Sequence, residues 1–106
     1  MARYLLEASY TAEGVKGLQK AGAASRVAAV TDMVAGLGGT LVSFDFAFGD
    51  VDAFVIVDLP DDEAAAAAAF AVGASATTTV RTVKLLTVED ADAALRRSVD
   101  YRPPGS

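Results

Sequence analysis

The sequence contains no cysteine, histidine, tryptophan or asparagine, and only 3 of its 106 residues are proline. Without cysteine or histidine, the chain has no thiol nucleophile, no imidazole base and none of the usual ligands of structural zinc or haem iron. Disulfide bonds are excluded for the same reason. These absences predict a protein that works without a metal ion or other cofactor.

Basic residues are scarce as well, because 9 Lys and Arg stand against 14 Asp and Glu, a formal net charge of −5. Such a charge argues against a nucleic-acid partner and against binding to an anionic membrane surface. Glu7 interrupts the N-terminal apolar stretch, and the longest apolar run, 64–72, is too short to span a bilayer. We therefore expect a cytoplasmic protein.

The 53% of hydrophobic residues are largely small, since 23 of them are alanine. A chain of this length forms one domain and, once folded, exposes roughly 5,500 Å² of surface. We place that domain at 1–97 and expect 98–106 to form a flexible tail, because Pro103-Pro104 cannot continue a helix.

Apolar periodicity and capping residues predict alternating strands and helices. Glycines 14, 17 and 22 weaken the first helical region, which we expect to break near 21–24, and Gly73 is expected to end the alanine-rich helix. The order is that of a ferredoxin-like α+β fold, βαββαβ, with a four-stranded antiparallel sheet, helices on one face and an added C-terminal helix. The predicted strands are 3–10, 40–48, 53–59 and 78–87. The predicted helices are 12–20, 25–37 and 88–97, with the alanine-rich helix starting within 60–63.

The central hairpin predicts two different sheet faces. If Phe48 lies opposite Ala53, one face is wholly apolar, whereas the other mixes aspartates with apolar side chains. In a monomer the mixed face would expose its apolar side chains to water, and exposed apolar patches of that size are uncommon. We therefore expect a homodimer, or a higher oligomer, in which two sheets pack face to face as a dimeric α+β barrel. The apolar members expected on the mixed face are Leu5, Leu41, Phe54 and Ile56.

Several short motifs follow one another along the chain: Tyr10-Thr11 with Gly14, Arg26, Leu37-Gly38-Gly39, Gly49-Asp50-Val51-Asp52, Pro60-Asp61-Asp62-Glu63-Ala64 and Val80-Arg81-Thr82. Their order and spacing resemble those of the GYD family, small bacterial and archaeal proteins grouped with the dimeric α+β barrels. The resemblance covers about 3–97 and implies the fold and the dimer more firmly than any reaction. Val51 stands where the family has its tyrosine, so a function of that phenol is not carried over to this chain.

Three carboxylates are candidate catalytic bases: Asp45, Glu7 and Asp52. Asp45 and Glu7, with Asp58, are expected on the mixed face, where crowded carboxylates share protons and have raised pKa values. Ion pairing with arginine or lysine on neighbouring strands is the favoured alternative. For Asp50 and Asp52, turn formation and strand capping are favoured over cation binding, which needs more oxygen ligands.

Tyr4, Tyr10 and Arg81 are candidate ligand contacts, because a phenol and a guanidinium together orient a small aromatic acid or a similar anion. Tyr4 alternatively fills the core, and the alternation around Arg81 does not decide which face it occupies. The leading hypothesis is a homodimer that binds a small, partly apolar organic molecule. The alternatives are a cofactor-free isomerase or oxygenase and a structural or oligomerisation module.

Overall fold

A computed structural model describes residues 1–106 and contains one four-stranded antiparallel sheet in the order β2-β3-β1-β4. This is the strand order of a ferredoxin-like α+β fold, and it confirms the predicted architecture. None of the helices is long and apolar enough to cross a membrane. The elements are β1 (Ala2–Tyr10), α1 (Ala12–Ala21), α2 (Ala23–Gly36), β2 (Thr40–Phe46), β3 (Ala53–Leu59), α3 (Asp62–Ala74), β4 (Thr78–Leu85) and α4 (Val88–Leu95).

The core lies between the sheet and helices α1 to α3. Alternate residues of the two central strands, β1 and β3, point toward the helices, so their side chains are buried while their neighbours are not. Helices α2 and α3 pack against these side chains and complete the core. The buried apolar residues are Tyr4, Leu6, Ala8, Val30, Val34, Ala53, Val55, Val57, Leu59, Ala65 and Ala68.

Most helix boundaries follow the predicted signals, although α2 begins at Ala23 and α4 ends at Leu95, before the two arginines predicted for its last turn. The Thr11 hydroxyl caps α1 by accepting from the Gly14 N–H (3.2 Å), and the predicted break falls at Gly22, whose φ is 91°. Helix α3, however, continues through Gly73 to Ala74, so the prediction that Gly73 ends it is wrong. The turn comes later, where Ala76 adopts the left-handed conformation with a φ of 62°.

The β2–β3 hairpin closes earlier than the alternation predicted. Phe46, not Phe48, pairs with Ala53, and Phe48 is fully exposed beyond the strand. Beyond that pair one further bond, from the Ala47 N–H to the Asp52 carbonyl at 2.8 Å, continues the pairing, and the chain then turns through Gly49, whose φ is 97°. The predicted register was therefore wrong by two residues.

A register shift between Leu41 and Ser43 corrects a second expectation. Leu41 pairs with Val57 and Ser43 with Ile56, so Val42 is an extra residue in the edge strand. Leu41 consequently shares the face of Val57 and packs against the core. It does not belong to the mixed face, where the sequence pattern had placed it.

The sheet face opposite α1, α2 and α3, here called the open face, has no helix packed on it. The register puts Leu5 beside both Ile56 and Val83, which forms an apolar row across the three strands. It also puts Arg81 beside Glu7, which settles the facing of Arg81. The open face carries Leu5, Phe54, Ile56, Val83 and Leu85, framed by Arg3, Glu7, Asp45, Asp58 and Arg81.

The chain beyond β4 extends away from this body. Helix α4 has no buried residue, and Leu95, Val99 and Tyr101 are all more than half exposed. The radius of gyration is 17.0 Å, whereas a compact chain of this length has about 13 Å. The exposed surface is 7246 Å², about 1,700 Å² above the value expected for a folded monomer of this mass. A single copy therefore leaves an unusual amount of its surface uncovered.

Candidate functional site

A cavity of about 220 Å³, here called the site cavity, lies between α1, α2 and the sheet end formed by Tyr10 and Thr78. One part of its wall is made of small residues from the facing sides of the two helices, which leave the space open. Leu18 adds one larger apolar side chain, and the remaining part of the wall is polar and includes one basic and one acidic side chain. The small residues are Gly14, Gly17, Ala21, Gly22 and Ala29; the polar ones are Tyr10, Glu13, Ser25, Arg26, Thr77 and Thr78.

Gly14 fixes the position of α1 beside this cavity. A Cβ atom on Gly14 would lie 2.1 Å from the carbonyl oxygen of Thr77, so only glycine allows this approach. The Thr11 N–H donates to the same carbonyl at 2.9 Å and ties the start of α1 to the segment before β4. One turn further, a Cβ on Gly17 would meet nothing within 4 Å, because Gly17 faces the open space of the cavity.

Arg26 is the one cationic residue that lines the site cavity, and its side chain has no protein partner. Its side chain makes no hydrogen bond, takes part in none of the three ion pairs of the molecule, and has a buried Nε without an acceptor. The guanidinium carbon lies 6.0 Å from the centroid of the Tyr10 ring, at the outer limit of a cation–π contact. A buried donor without an acceptor costs about 1–3 kcal/mol. The chain itself therefore leaves one donor of Arg26 without an acceptor.

Arg26 was not among the predicted ligand contacts, although a signal for it was present. Arg26, Val30 and Val34 recur every four residues and so share one face of α2. The two valines are buried, which makes Arg26 the polar end of a core-facing stripe. The signal in the sequence is therefore an arginine on the core-facing side of a helix, where charged residues are rare.

Tyr10, a predicted ligand contact, does line the site cavity. Its position depends on Asp52, whose Oδ2 accepts from the Tyr10 N–H at 2.8 Å while the Asp52 N–H donates to Ala8 at 2.9 Å. Asp52 therefore caps the end of β1 and ties it to the hairpin loop, as the strand-capping interpretation predicted. It is not a lining residue of the cavity, and its role as a base stays a prediction.

The other candidate bases lie on the open face, away from the site cavity. The Glu7 carboxylate is 3.7 Å from Nε of Arg81, and Asp58 accepts two hydrogen bonds from Arg3 at 2.9 and 3.1 Å. The bonds from Arg3 lower the pKa of Asp58, which is opposite to the rise that proton sharing requires. Asp45 is exposed and pairs in register with Phe54. The structure does not bring these residues to Tyr10, and catalysis by Glu7 or Asp45 stays a prediction.

Tyr4 lies at a different place, at the edge of a more open groove of about 290 Å³ between α3 and β4. Its ring is buried in the core, and its hydroxyl donates to Oδ1 of Asp62 at 2.5 Å; Nζ of Lys84 donates to the same oxygen at 2.9 Å. The hydrogen bond to Asp62, helped by burial, raises the pKa of Tyr4 to about 12. The bonds from Tyr4 and Lys84 lower the pKa of Asp62.

These two pKa shifts predict that the free energy of unfolding falls at both low and high pH. Asp62 stabilises the fold above about pH 4, and this stabilisation is lost as the pH falls through the lowered pKa of the folded state. Tyr4 stabilises the fold below about pH 10, and this stabilisation is lost as the pH rises toward 12. We expect the absorbance of tyrosinate to show a step near pH 12 that Tyr4→Phe removes and Asp62→Asn moves to lower pH. Tyr101→Phe, in the exposed tail, is the matched control and leaves that step in place. A Tyr4→Phe titration identical to that of the parent chain contradicts the assignment.

A model of the GYD domain family matches residues 4–95 of the chain. No curated protein and no solved structure matches it. The matched span runs from β1 to the last residue of α4 and includes the site cavity and the open face.

Proposed function

We propose that this chain, which belongs to the GYD domain family, is a cytoplasmic homodimer that binds a small, partly apolar organic molecule in the site cavity. The observation that carries the proposal is the unpaired guanidinium of Arg26 beside the Tyr10 ring, in a cavity whose apolar wall consists of glycine, alanine and Leu18. Binding sites commonly combine an apolar wall with a few polar groups that orient the ligand.

The size of the site cavity favours a small ligand. Its volume of about 220 Å³ is below the range of cavities that hold drug-sized compounds. A single aromatic or alicyclic ring with one polar substituent is the class of molecule that we propose.

Two observations support the homodimer: the open face is apolar along its centre, and the single chain exposes more surface than a folded monomer of its mass. The apolar row of Leu5, Ile56 and Val83 is flanked by charged residues, an arrangement typical of interfaces with an apolar centre and a polar rim. Packing two open faces together removes this row from water in both copies. A test of the interface is given in the Discussion.

Filling the site cavity is expected to abolish ligand binding without unfolding the chain. Gly17→Leu adds a side chain that points into open space, and Gly73→Leu, in α3, is the matched control because a Cβ there also meets nothing within 4 Å. Benzamide, a neutral single-ring probe, is titrated into the ¹⁵N-labelled protein while amide chemical shifts are followed. We expect shifts around α1 and α2 in the parent chain and in Gly73→Leu, and none in Gly17→Leu.

Equal shifts in all three proteins, or none in the parent chain with any single-ring probe, overturn the binding function. In that case only the proposed homodimer remains, and a structural or oligomerisation module becomes the better hypothesis for the function.

A further inference from the structure

We infer that Arg26 holds a carboxylate, so that the molecule bound in the site cavity is a small organic monocarboxylate. The inference rests on the proposed function and adds the chemical class of the ligand. Arg26 is the starting point because its guanidinium is the one cationic group lining this cavity and has no acidic partner in the chain. A planar guanidinium matches the two oxygens of a carboxylate through paired N–H donors.

The first turn of α2 adds to the attraction for an anion. Gly22, the residue before the helix, provides no side-chain cap, and the first turn contains no acidic residue. The N–H groups of this turn therefore keep their partial positive charge, and Ser25 and Arg26 within it line the cavity.

The acidic side chain in the lining limits how much negative charge is accepted. Glu13 stands in the first turn of α1 and also lines the cavity. Its carboxylate repels negative charge on the ligand, and a doubly charged anion about twice as strongly as a singly charged one; the whole chain carries a formal net charge of −5. A singly charged carboxylate with a small apolar body is favoured over a doubly charged phosphate on this ground.

The test compares benzoate with benzamide, which has the same shape and no charge, and with inorganic phosphate, all at pH 7. Binding is followed by amide shifts and by the side-chain Nε–H resonance of Arg26, one of six arginines in the chain. We expect benzoate to bind at least tenfold more tightly than benzamide and to move the Arg26 Nε–H resonance. Arg26→Gln should lower benzoate affinity about tenfold and leave benzamide affinity within twofold. Arg97→Gln, in the exposed C-terminal segment, is the matched control and should change neither.

The outcomes separate the inference from the proposed function. If both probes bind equally, or if benzoate binds without moving the Arg26 Nε–H resonance, the inference is overturned and the binding function stands. If neither benzoate nor benzamide binds, both the inference and the proposed binding function are overturned. Phosphate binding more tightly than benzoate overturns the monocarboxylate class. Should Arg26→Gln fail to fold, Arg26→Lys keeps the charge but loses the paired donors, and a several-fold loss of benzoate affinity is expected there.

Discussion

Replacing Gly14 with alanine is expected to lower the free energy of unfolding by about 3 kcal/mol, the upper range for overpacking a tight contact. The added Cβ would lie 2.1 Å from the Thr77 carbonyl oxygen and 3.3 Å from the Cβ of Tyr10. Because the nearest atoms are backbone, no side chain can rotate away, and α1 must move from the start of β4. That movement also breaks the hydrogen bond from the Thr11 N–H to the Thr77 carbonyl. The loss is a large fraction of the stability of a domain of this size.

Gly17→Ala, in the same helix, is the matched control. A Cβ at Gly17 meets nothing within 4 Å, so the substitution gains helix propensity without a clash. It should raise the free energy of unfolding by about 0.5–1 kcal/mol. Urea unfolding followed by circular dichroism measures both changes. A Gly14→Ala protein as stable as the parent chain contradicts the close approach that the structure shows, and two variants that change equally contradict the distinction between the sites.

The two glycines show what a single sequence reveals and what it conceals. Both Gly14 and Gly17 predicted a weak helix, because the cost of glycine in a helix is a local property. The contact of Gly14 with Thr77, 63 residues away, depends on how α1 lies on the sheet, and no local pattern encodes it. The same holds in the hairpin, where alternation continues to Phe48 although the strand ends at Phe46.

The fold was predictable for the opposite reason, since its signals are local and agree with one another. The Thr11 cap, the Gly22 break and the alternation of 53–59 each specify one element. The bulge at Val42 carries no such signal, because a bulge inserts a residue without changing which residue types are suitable. As a result, Leu41 was assigned to the wrong face although its strand was predicted.

The candidate site was predictable in type more than in position. A phenol beside a guanidinium was expected, and Tyr10 supplies the phenol, but Arg26 supplies the guanidinium in place of Arg81. Arg81 is paired in register with Glu7 on the open face, which faces away from the site cavity. The partner of Tyr10 comes from a second helix whose orientation follows from the turn at Gly22. Composition and spacing do not determine that orientation.

Ile56→Lys is expected to dissociate the proposed homodimer, raising its dissociation constant at least a hundredfold, or about 2.7 kcal/mol. Ile56 is central because β3 pairs with a strand on each side, and Leu5 lies directly opposite it. In a single copy the open face is in contact with water, so the lysine remains solvated and the monomer keeps its fold. In a face-to-face dimer each copy would bury an ammonium group, which costs several kcal/mol when no carboxylate pairs with it.

Val15→Lys is the matched control, because it changes an exposed β-branched residue of α1 on the opposite side of the sheet. Sedimentation equilibrium between 1 and 100 µM should give twice the 10.8 kDa chain mass for the parent chain and for Val15→Lys. Ile56→Lys should give the mass of one chain with unchanged circular dichroism. A parent chain that is monomeric throughout this range removes the homodimer. If Ile56→Lys remains dimeric, the interface does not lie on the open face. The exposed apolar residues of α4 and the C-terminal segment then become the candidate interface.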